Sequence, residues 1–213
     1  MSLTLYKPNS KNAGAAFTFS IGSDKKNDEP TLFISAIAQH SWNADKKIGS
    51  FSGNSSDKGK TVNVKLNLNE CGEILSAIRN RHEYSTFHSF EDNSTTIKFT
   101  PWNKSVKISK YDPESKGYKD EKIEVPAFGV SISKNKGHTF KIPLDAGETE
   151  VLSEYLKFLL QKLFNVRTTR QREAFLSRQD GGGHSSPDKT AAPKPKPEAP
   201  EDTDDDDDED VPF

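Results

Sequence analysis

The chain has 213 residues, enough for one compact domain or two small ones, and its formal net charge is −2. Only 31% of the residues are apolar and 29% are charged, so part of the chain must be solvated and not packed into a core. No apolar run approaches the ~20 residues that span a bilayer, and the N-terminal residues lack the basic and then apolar pattern of a secretory signal, so we expect a cytoplasmic protein. An internal disulfide is excluded, because Cys71 is the single cysteine.

Seven segments alternate apolar and polar residues between turn signals and predict β-strands. They are Ala15–Ile21, Leu32–Trp42, Thr61–Leu66, Tyr84–Phe90, Thr95–Trp102, Ala127–Lys134 and His138–Leu144. Helical spacing predicts two helices, from about residue 68 to 81 and from about 146 to 164, the second with Val151 in its apolar stripe. The lysine-interleaved acidic residues between 112 and 124 predict an exposed loop.

The two junctions between strand and helix resemble each other at an offset of 78 residues. Lys58-Gly59-x-Thr61 aligns with Lys136-Gly137-x-Thr139, and apolar strand and helix positions follow in the same order. Each helix also begins with a capping box, formed by Asn67 and Glu70 or by Asp145 and Glu148. A repeat predicts two copies, about 1–81 and 82–170, that share one core about a pseudo-twofold axis. Chance similarity of two ordinary junctions is the alternative.

The last part of the chain has a different composition. Residues 171–203 include Gly181–Gly183 and a run of alternating proline and lysine, which predicts a flexible linker. Residues 179–213 hold 12 Asp and Glu and 3 Lys, a net charge of −9, and the rest of the chain holds 27 Lys and Arg and 20 Asp and Glu, a net charge of +7. A basic body with an acidic tail is typical of a polyanion-binding protein that carries its own competitor, although both charges could serve solubility alone.

The final ten residues form an acidic tip. Its residues are Asp204, Asp205, Asp206, Asp207, Asp208, Glu209, Asp210, Val211, Pro212 and Phe213. This ending resembles the C-terminal tip of bacterial single-stranded DNA-binding proteins, with Val211 where isoleucine is usual. The resemblance implies a bacterial or phage protein whose tip binds replication or recombination proteins, the Phe213 ring entering an apolar pocket with a basic rim. A solvated acidic tail is the alternative.

Binding of single-stranded DNA (ssDNA) without sequence preference requires lysines along a groove and aromatic rings that stack on bases. Strand parity places Lys98, Thr100 and Trp102 on one face of their strand, opposite Ile97 and Phe99. The candidate ssDNA-binding residues are Trp42, Lys58, Lys60, Lys65, Lys98, Trp102, Lys104, Lys107, Lys134, Lys136 and Lys141. Any one lysine could instead belong to a solvated strand face, and either tryptophan to a packed core edge. The phenylalanines expected in the core are Phe17, Phe19, Phe33, Phe99, Phe128 and Phe140.

The repeated order of sheet and then helix resembles the Whirly family and its relative, transcriptional positive cofactor four. The likeness lies in element order, because Lys58-Gly59-Lys60-Thr61 is only superficially similar to the Lys-Gly-Lys-Ala signature of plant Whirly proteins. It implies an α+β fold with antiparallel sheets and two helices, a duplicated ββββα body whose sheet surfaces take ssDNA. The rival is an OB-fold, whose helix between the third and fourth strands would be the one at 68–81.

No segment of the sequence carries a recognisable catalytic motif. Gly59-Lys60-Thr61 is not a phosphate loop, because Asn54 stands where that motif needs glycine and a strand follows it. The five histidines have no metal-ligand spacing. We predict a non-enzymatic protein without cofactor or metal that coats ssDNA in replication, recombination or repair, as a monomer with internal symmetry or a homo-oligomer, with RNA binding left open. The alternative is an acidic-tailed, chaperone-like protein that binds basic proteins.

Overall fold

The structure is a computed structural model that describes residues 1–25, 27–90, 93–135 and 137–180. Its strands are β1 (Ser2–Lys7), β2 (Ala15–Ser23), β3 (Pro30–Ala38), β4 (Ser41–Asn43), β5 (Ile48–Ser50), β6 (Thr61–Leu66), β7 (Tyr84–Phe90), β8 (Asn93–Asp112), β9 (Gly117–Lys134) and β10 (Thr139–Leu144). The helices are α1 (Leu68–Asn80) and α2 (Ala146–Asp180). Met1–Glu173 form one compact unit, and the described part of a second unit is the helical segment 174–180.

The strands form two four-stranded antiparallel sheets and one short hairpin. The first sheet has the order β1-β2-β3-β6, the second sheet has the order β10-β9-β8-β7, and β4 pairs with β5. Each sheet is followed by a helix, and the pairs β6–α1 and β10–α2 are separated by the predicted 78 residues. The duplicated ββββα fold is therefore confirmed, and in the described part of the chain the strands do not close into the rival OB barrel.

One apolar core joins both halves of the repeat. It includes Phe19 of the first sheet, Phe99 of the second, Ile74 of α1 and Leu156 of α2, each at most 1% exposed. Five of the six phenylalanines expected in the core are buried there: Phe17, Phe19, Phe99, Phe128 and Phe140. Phe33 is the exception, because strand parity turns its half-buried ring outward over Gly22, where the ring leaves no room for a side chain.

Both predicted capping boxes form. Asn67 Oδ1 accepts a hydrogen bond from the Glu70 amide at 3.0 Å, and Glu70 Oε2 accepts one from the Asn67 amide at 2.8 Å. Asp145 and Glu148 make the same reciprocal pair at 3.0 Å in each direction. The reciprocal bonds satisfy amides that a helix would otherwise leave without an acceptor, so the sequence pattern sets the first residue of each helix.

Each capping glutamate also contacts the first strand of the other half. Glu70 Oε1 accepts hydrogen bonds from Thr86 Oγ1 at 2.7 Å and His88 Nε2 at 2.5 Å on β7, and Glu148 pairs with Lys7 on β1. The strand registers make Lys7 and His88 equivalent positions of the repeat. Lys7 is opposite Ala15 and His88 is opposite Thr95, and each of these partners lies four residues before a buried phenylalanine, Phe19 or Phe99. The two halves are thus tied together by a reciprocal exchange of polar contacts.

The third predicted strand is interrupted, and this moves Trp42. The strand β3 ends at Ala38, so Trp42 lies on the separate hairpin strand β4 and not at the end of a long strand. The cause is Gln39, which is buried and whose amide group accepts from the Asn9 amide at 2.8 Å and donates to the Asn9 and Ser41 carbonyls at 2.9 and 3.0 Å. A buried side chain held by so many backbone groups redirects the chain.

The segment predicted as an exposed loop is paired β-structure. Within the hairpin of β8 and β9 the register continues without a break to Asp112 opposite Gly117. The apolar residues Val106 and Ile123 lie opposite each other among the charges, and cross-strand pairing of this kind supports a strand that composition alone disfavours. The strand β1 was not predicted, although Leu3 and Leu5 pack against the core.

The second helix is longer than predicted. It continues from 164 to Asp180, so residues 171–180, which we predicted as the start of the linker, are helical. No glycine or proline lies between residues 164 and 181, and Arg167 pairs with Glu29 at 2.8 Å while Arg170 donates to the Asn27 carbonyl at 2.6 Å. Val151, predicted in the apolar stripe, is exposed. The division into body, linker and tip stays a prediction.

Two further expectations concern Cys71 and the membrane. Cys71 is a free thiol buried in α1, and burial, followed by the nearby Glu70 charge, raises its pKa to about 12. The thiolate is therefore not populated at neutral pH. Across the described ranges, none of the helices combines the length and apolar character needed to cross a bilayer.

Candidate nucleic-acid interface

Each four-stranded sheet turns one face to the core and one outward, and the outer faces carry rows of small polar residues. On the first sheet Thr4, Thr18, Ser35 and Asn63 lie side by side on neighbouring strands. On the second sheet the equivalent row is Ser85, Lys98, Ser131 and Lys141. The two rows occupy corresponding positions of the repeat, and the second carries two lysines where the first carries uncharged residues.

The next row of each sheet presents an exposed aromatic ring at equivalent positions. Tyr6 is opposite Ala16 on the first sheet, Phe87 is opposite Thr96 on the second, and their side chains are 61% and 64% exposed. Sequence reasoning missed both rings. The alternation of Leu3 and Leu5 could have revealed the face of Tyr6, whereas the side of Phe87 requires the register, because aromatic residues occur at both parities of β7.

A groove of about 370 Å³ lies on the first sheet and has lysines at one end. Its floor includes Thr18, Ser35 and Asn63, and its wall includes Lys58 and Lys134. Lys134, at the end of β9, donates from Nζ to the Lys58 carbonyl at 3.3 Å, so the second half of the repeat supplies a charge to the groove of the first.

Lys60 adds to these lysines. Burial, and then the positive charge of Lys60, lower the pKa of His138, which stands at the position of the repeat equivalent to Lys60. We refer to Lys58, Lys60 and Lys134 as the cationic corner.

A second groove, of about 450 Å³, crosses the outer face of the second sheet. Its lining residues are Thr100, Trp102, Gly129, Val130, Ser131, Lys141, Ile142 and Pro143. Trp102 lines this groove and is 39% exposed, so part of the residue is accessible to a ligand. The predicted orientation of Lys98, Thr100 and Trp102 away from the core is confirmed.

Arg81 positions the tryptophan. It ends α1 in the left-handed conformation, with φ of 53°, and its guanidinium donates to the Trp102 carbonyl at 3.2 Å and to Asn103 Oδ1 at 3.1 Å. The second groove extends toward the first sheet, because Lys141 and Pro143 also line a depression that contains Tyr6 and Lys7 of the first sheet.

Ion pairs distinguish the predicted lysines. Lys65 pairs with Asp24 at 2.6 Å, Lys98 with Glu83 at 3.7 Å and Lys104 with Asp145 at 3.8 Å. An acidic partner reduces the attraction of each for phosphate. Five of the predicted lysines form no ion pair in the described part of the chain: Lys58, Lys60, Lys107, Lys134 and Lys141.

The remaining predicted residues lie elsewhere. Trp42 is half-buried on β4, apart from both four-stranded sheets, and Lys107 lies on the face of the β8–β9 hairpin opposite to that of Lys104. Lys136 and the tip, 204–213, fall outside the described residues. Within the described ranges, no three His, Cys, Asp or Glu side chains converge as metal ligands.

Known proteins resemble this chain in fold and not in sequence. No family model and no curated protein matches it. Among solved structures, WHY1 from Arabidopsis thaliana is 14% identical, with a TM-score of 0.50 over 87% of this chain and 96% of that one. WHY3 from the same plant is 15% identical (TM-score 0.49, 83% and 96% covered), and the plant transcriptional regulator PBF-2 is 16% identical (TM-score 0.48, 81% and 86% covered). The likeness to WHY1 confirms the Whirly-like fold.

Proposed function

We propose that the protein binds ssDNA without sequence preference through the outer faces of its two sheets. The observation that carries this proposal is the set of grooves on the two outer faces, which combine lysines that pair with no described acidic residue, exposed rings and a floor of small polar residues. Lysines along a groove hold the phosphate backbone, and rings such as Trp102 stack on bases. The likeness to WHY1 supports the proposal at the level of fold.

The shape and chemistry of the grooves favour single strands over duplex. Stacking on Trp102, Tyr6 or Phe87 requires the face of a base, which a duplex hides between neighbouring base pairs. The hydroxyl and amide groups of the floor donate and accept hydrogen bonds in several orientations, so they favour no particular base. Both features predict binding to unpaired strands of any sequence, and RNA offers the same phosphates and base faces.

The acidic tip extends the proposal to cellular role. Its likeness to the tip of bacterial single-stranded DNA-binding proteins supports a non-enzymatic protein that coats ssDNA in replication, recombination or repair. In this role the tip binds partner proteins, with the acidic run steering basic surfaces toward Val211 and Phe213. The same run is a polyanion tethered to a basic body and therefore competes with ssDNA for the lysines.

Removing the indole of Trp102 tests the groove directly. We expect Trp102→Ala to weaken binding of oligo-dT by about fivefold or more, since each stacked base contributes roughly 1–3 kcal/mol. The measurement is a fluorescence anisotropy titration of labelled oligo-dT and of a labelled duplex. Trp42→Ala is the matched control, because Trp42 lies outside both grooves, and it should bind as the unaltered chain does. Equal binding of duplex and oligo-dT, or equal loss in the two variants, would contradict the proposal.

Removing the acidic run tests the internal competitor. We expect deletion of residues 204–213 to tighten binding of oligo-dT, most at low salt, because a polyanion tethered to the body has been removed. Titrations at several salt concentrations measure the effect. Replacing only Val211, Pro212 and Phe213 with alanine leaves the acidic charge in place and should leave ssDNA affinity unchanged. Unchanged or weaker binding after the deletion would show that the run does not compete.

A further inference from the structure

We propose that the hairpin arm is a second ssDNA-binding element, on the face of the hairpin opposite to that of Trp102. The arm is the part of β8 and β9 between residues 103 and 126, where, within the described residues, these two strands pair only with each other. This inference rests on the proposed function and adds a separate group of contacts to it. Those contacts lie on residues that the grooves do not include.

Two pairs of like charges lie directly opposite each other along the arm. Lys107 is opposite Lys122, and Lys110 is opposite Lys119. Directly opposed side chains in an antiparallel pair have Cβ atoms about 5 Å apart, and like charges there destabilise the pairing. A two-stranded hairpin without a covering layer is itself only marginally stable, so the repulsion between these lysines lowers the stability of a part of the fold that is already weak.

The two lysine pairs differ in how their charge is compensated. Lys119 forms an ion pair with Asp112 on its own face of the arm. Lys107 and Lys122 form no ion pair with any described residue, and their neighbour Asp120 accepts a hydrogen bond from Ser109 at 2.7 Å. This pair therefore places two ammonium groups on one face of the arm, with Asp120 and Glu124 as the neighbouring acidic residues of β9 on that face.

The face that carries Lys107 and Lys122 also carries two exposed rings. Tyr111 lies opposite Tyr118 near the end of the arm, their ring centroids are 5.7 Å apart at an interplanar angle of 70°, and their side chains are 54% and 76% exposed. Four residues separate the ring pair from the lysine pair along each strand, roughly 13 Å. Paired cations followed by two exposed rings on one face match a phosphate backbone whose bases turn toward the rings.

Polar contacts join the base of the arm to the end of α1 and the start of α2. Arg81 donates to Asn103 at the base of the arm as well as to the Trp102 carbonyl, and Lys104 pairs with Asp145 at the start of α2. Trp102 and Lys107 lie on opposite faces of β8, so a strand that stacks on Trp102 reaches the lysine and tyrosine pairs by passing around the edge of the arm. We infer that a short oligonucleotide occupies the sheets alone and that a longer one also contacts Lys107, Lys122, Tyr111 and Tyr118.

The test compares a short oligo-dT of about six nucleotides with one of about 30. Tyr111→Ala with Tyr118→Ala should weaken binding of the long strand about fivefold or more and leave the short strand unaffected. Lys107→Gln with Lys122→Gln should reduce the salt slope of binding by about 1.4 for the long strand only. The phenylalanine variants of both tyrosines should restore long-strand binding, and the matched charge control, Lys25→Gln with Lys162→Gln, should behave as the unaltered chain.

The outcomes separate the two proposals. If the unaltered chain binds neither strand, the proposed function and the arm inference both fail. If it binds both and the arm variants bind the long strand normally, only the arm inference is overturned. It is also overturned if the substitutions change the oligomeric state, measured by size-exclusion chromatography, without changing DNA binding, because the arm would then contact another copy of the protein. If the effect of the substitutions disappears in the chain that lacks residues 204–213, the arm contacts the acidic tail and the inference is overturned as well.

Discussion

Replacing Lys58, Lys60, Lys134 and Lys141 with glutamine is expected to lower affinity for oligo-dT by about tenfold or more at low salt. Each lysine that neutralises a phosphate contributes about 0.7 to the salt slope for a single strand, so the slope should fall by up to about 2.8. These four residues line or adjoin the grooves and form no ion pair with a described residue. The measurement is the oligo-dT dissociation constant as a function of salt concentration.

The control for this variant has the same change in net charge at exposed lysines that line neither groove. Glutamine at Lys11, Lys25, Lys46 and Lys162 should leave the salt slope unchanged. Deleting residues 204–213 in the four-lysine variant should also produce less tightening than the same deletion in the unaltered chain, since the competitor and ssDNA use the same charges. A slope that falls equally in the groove variant and in the control would mean that only overall charge matters.

Local pattern determines the elements that sequence reasoning predicted well. The strand β6 lies at Thr61–Leu66 as predicted, because strict alternation of Val62 and Val64 with polar residues is bounded by a turn and a capping box. The start of α1 follows from the reciprocal bonds of Asn67 and Glu70, which involve residues three apart. Interactions within one turn or one strand can be deduced from spacing alone.

The parts that could not be predicted depend on contacts between distant segments. The end of β3 depends on bonds from Gln39 to Asn9, 30 residues away, and the partner of Lys65 is Asp24, 41 residues away. The equivalence of Tyr6 and Phe87 follows only from the registers of two sheets. Which lysines face an acidic group, and which rings share a surface, are therefore properties of the fold and not of local sequence.

The reciprocal contacts of the capping glutamates explain why the repeat behaves as one body. Glu70 of α1 reaches Thr86 and His88 in the second half, and Glu148 of α2 reaches Lys7 in the first. The Glu70 side chain is the more buried of the two, and no buried polar side-chain atom in the described structure is left without a hydrogen bond. The cost of removing Glu70 should consequently exceed that of removing Glu148, because its partners lose a shared acceptor in a less hydrated site.

Glu70→Ala is expected to lower the free energy of unfolding by about 2–4 kcal/mol, because the cap and two hydrogen bonds to the carboxylate are lost. The expected loss is about 1 kcal/mol for Glu148→Ala, and the change is negligible for Glu73→Ala, whose side chain is exposed. Burial alone would raise the pKa of Glu70, but bonds from the Asn67 amide, Thr86 and His88 together hold that pKa below its ordinary value of 4.5. The carboxylate's contribution is therefore complete above about pH 4.5 and is lost as the pH falls through the lower, folded-state pKa. Urea unfolding at several pH values should show the difference between the unaltered chain and Glu70→Ala narrowing toward acid; a difference that stays constant would exclude the ionised carboxylate as its source.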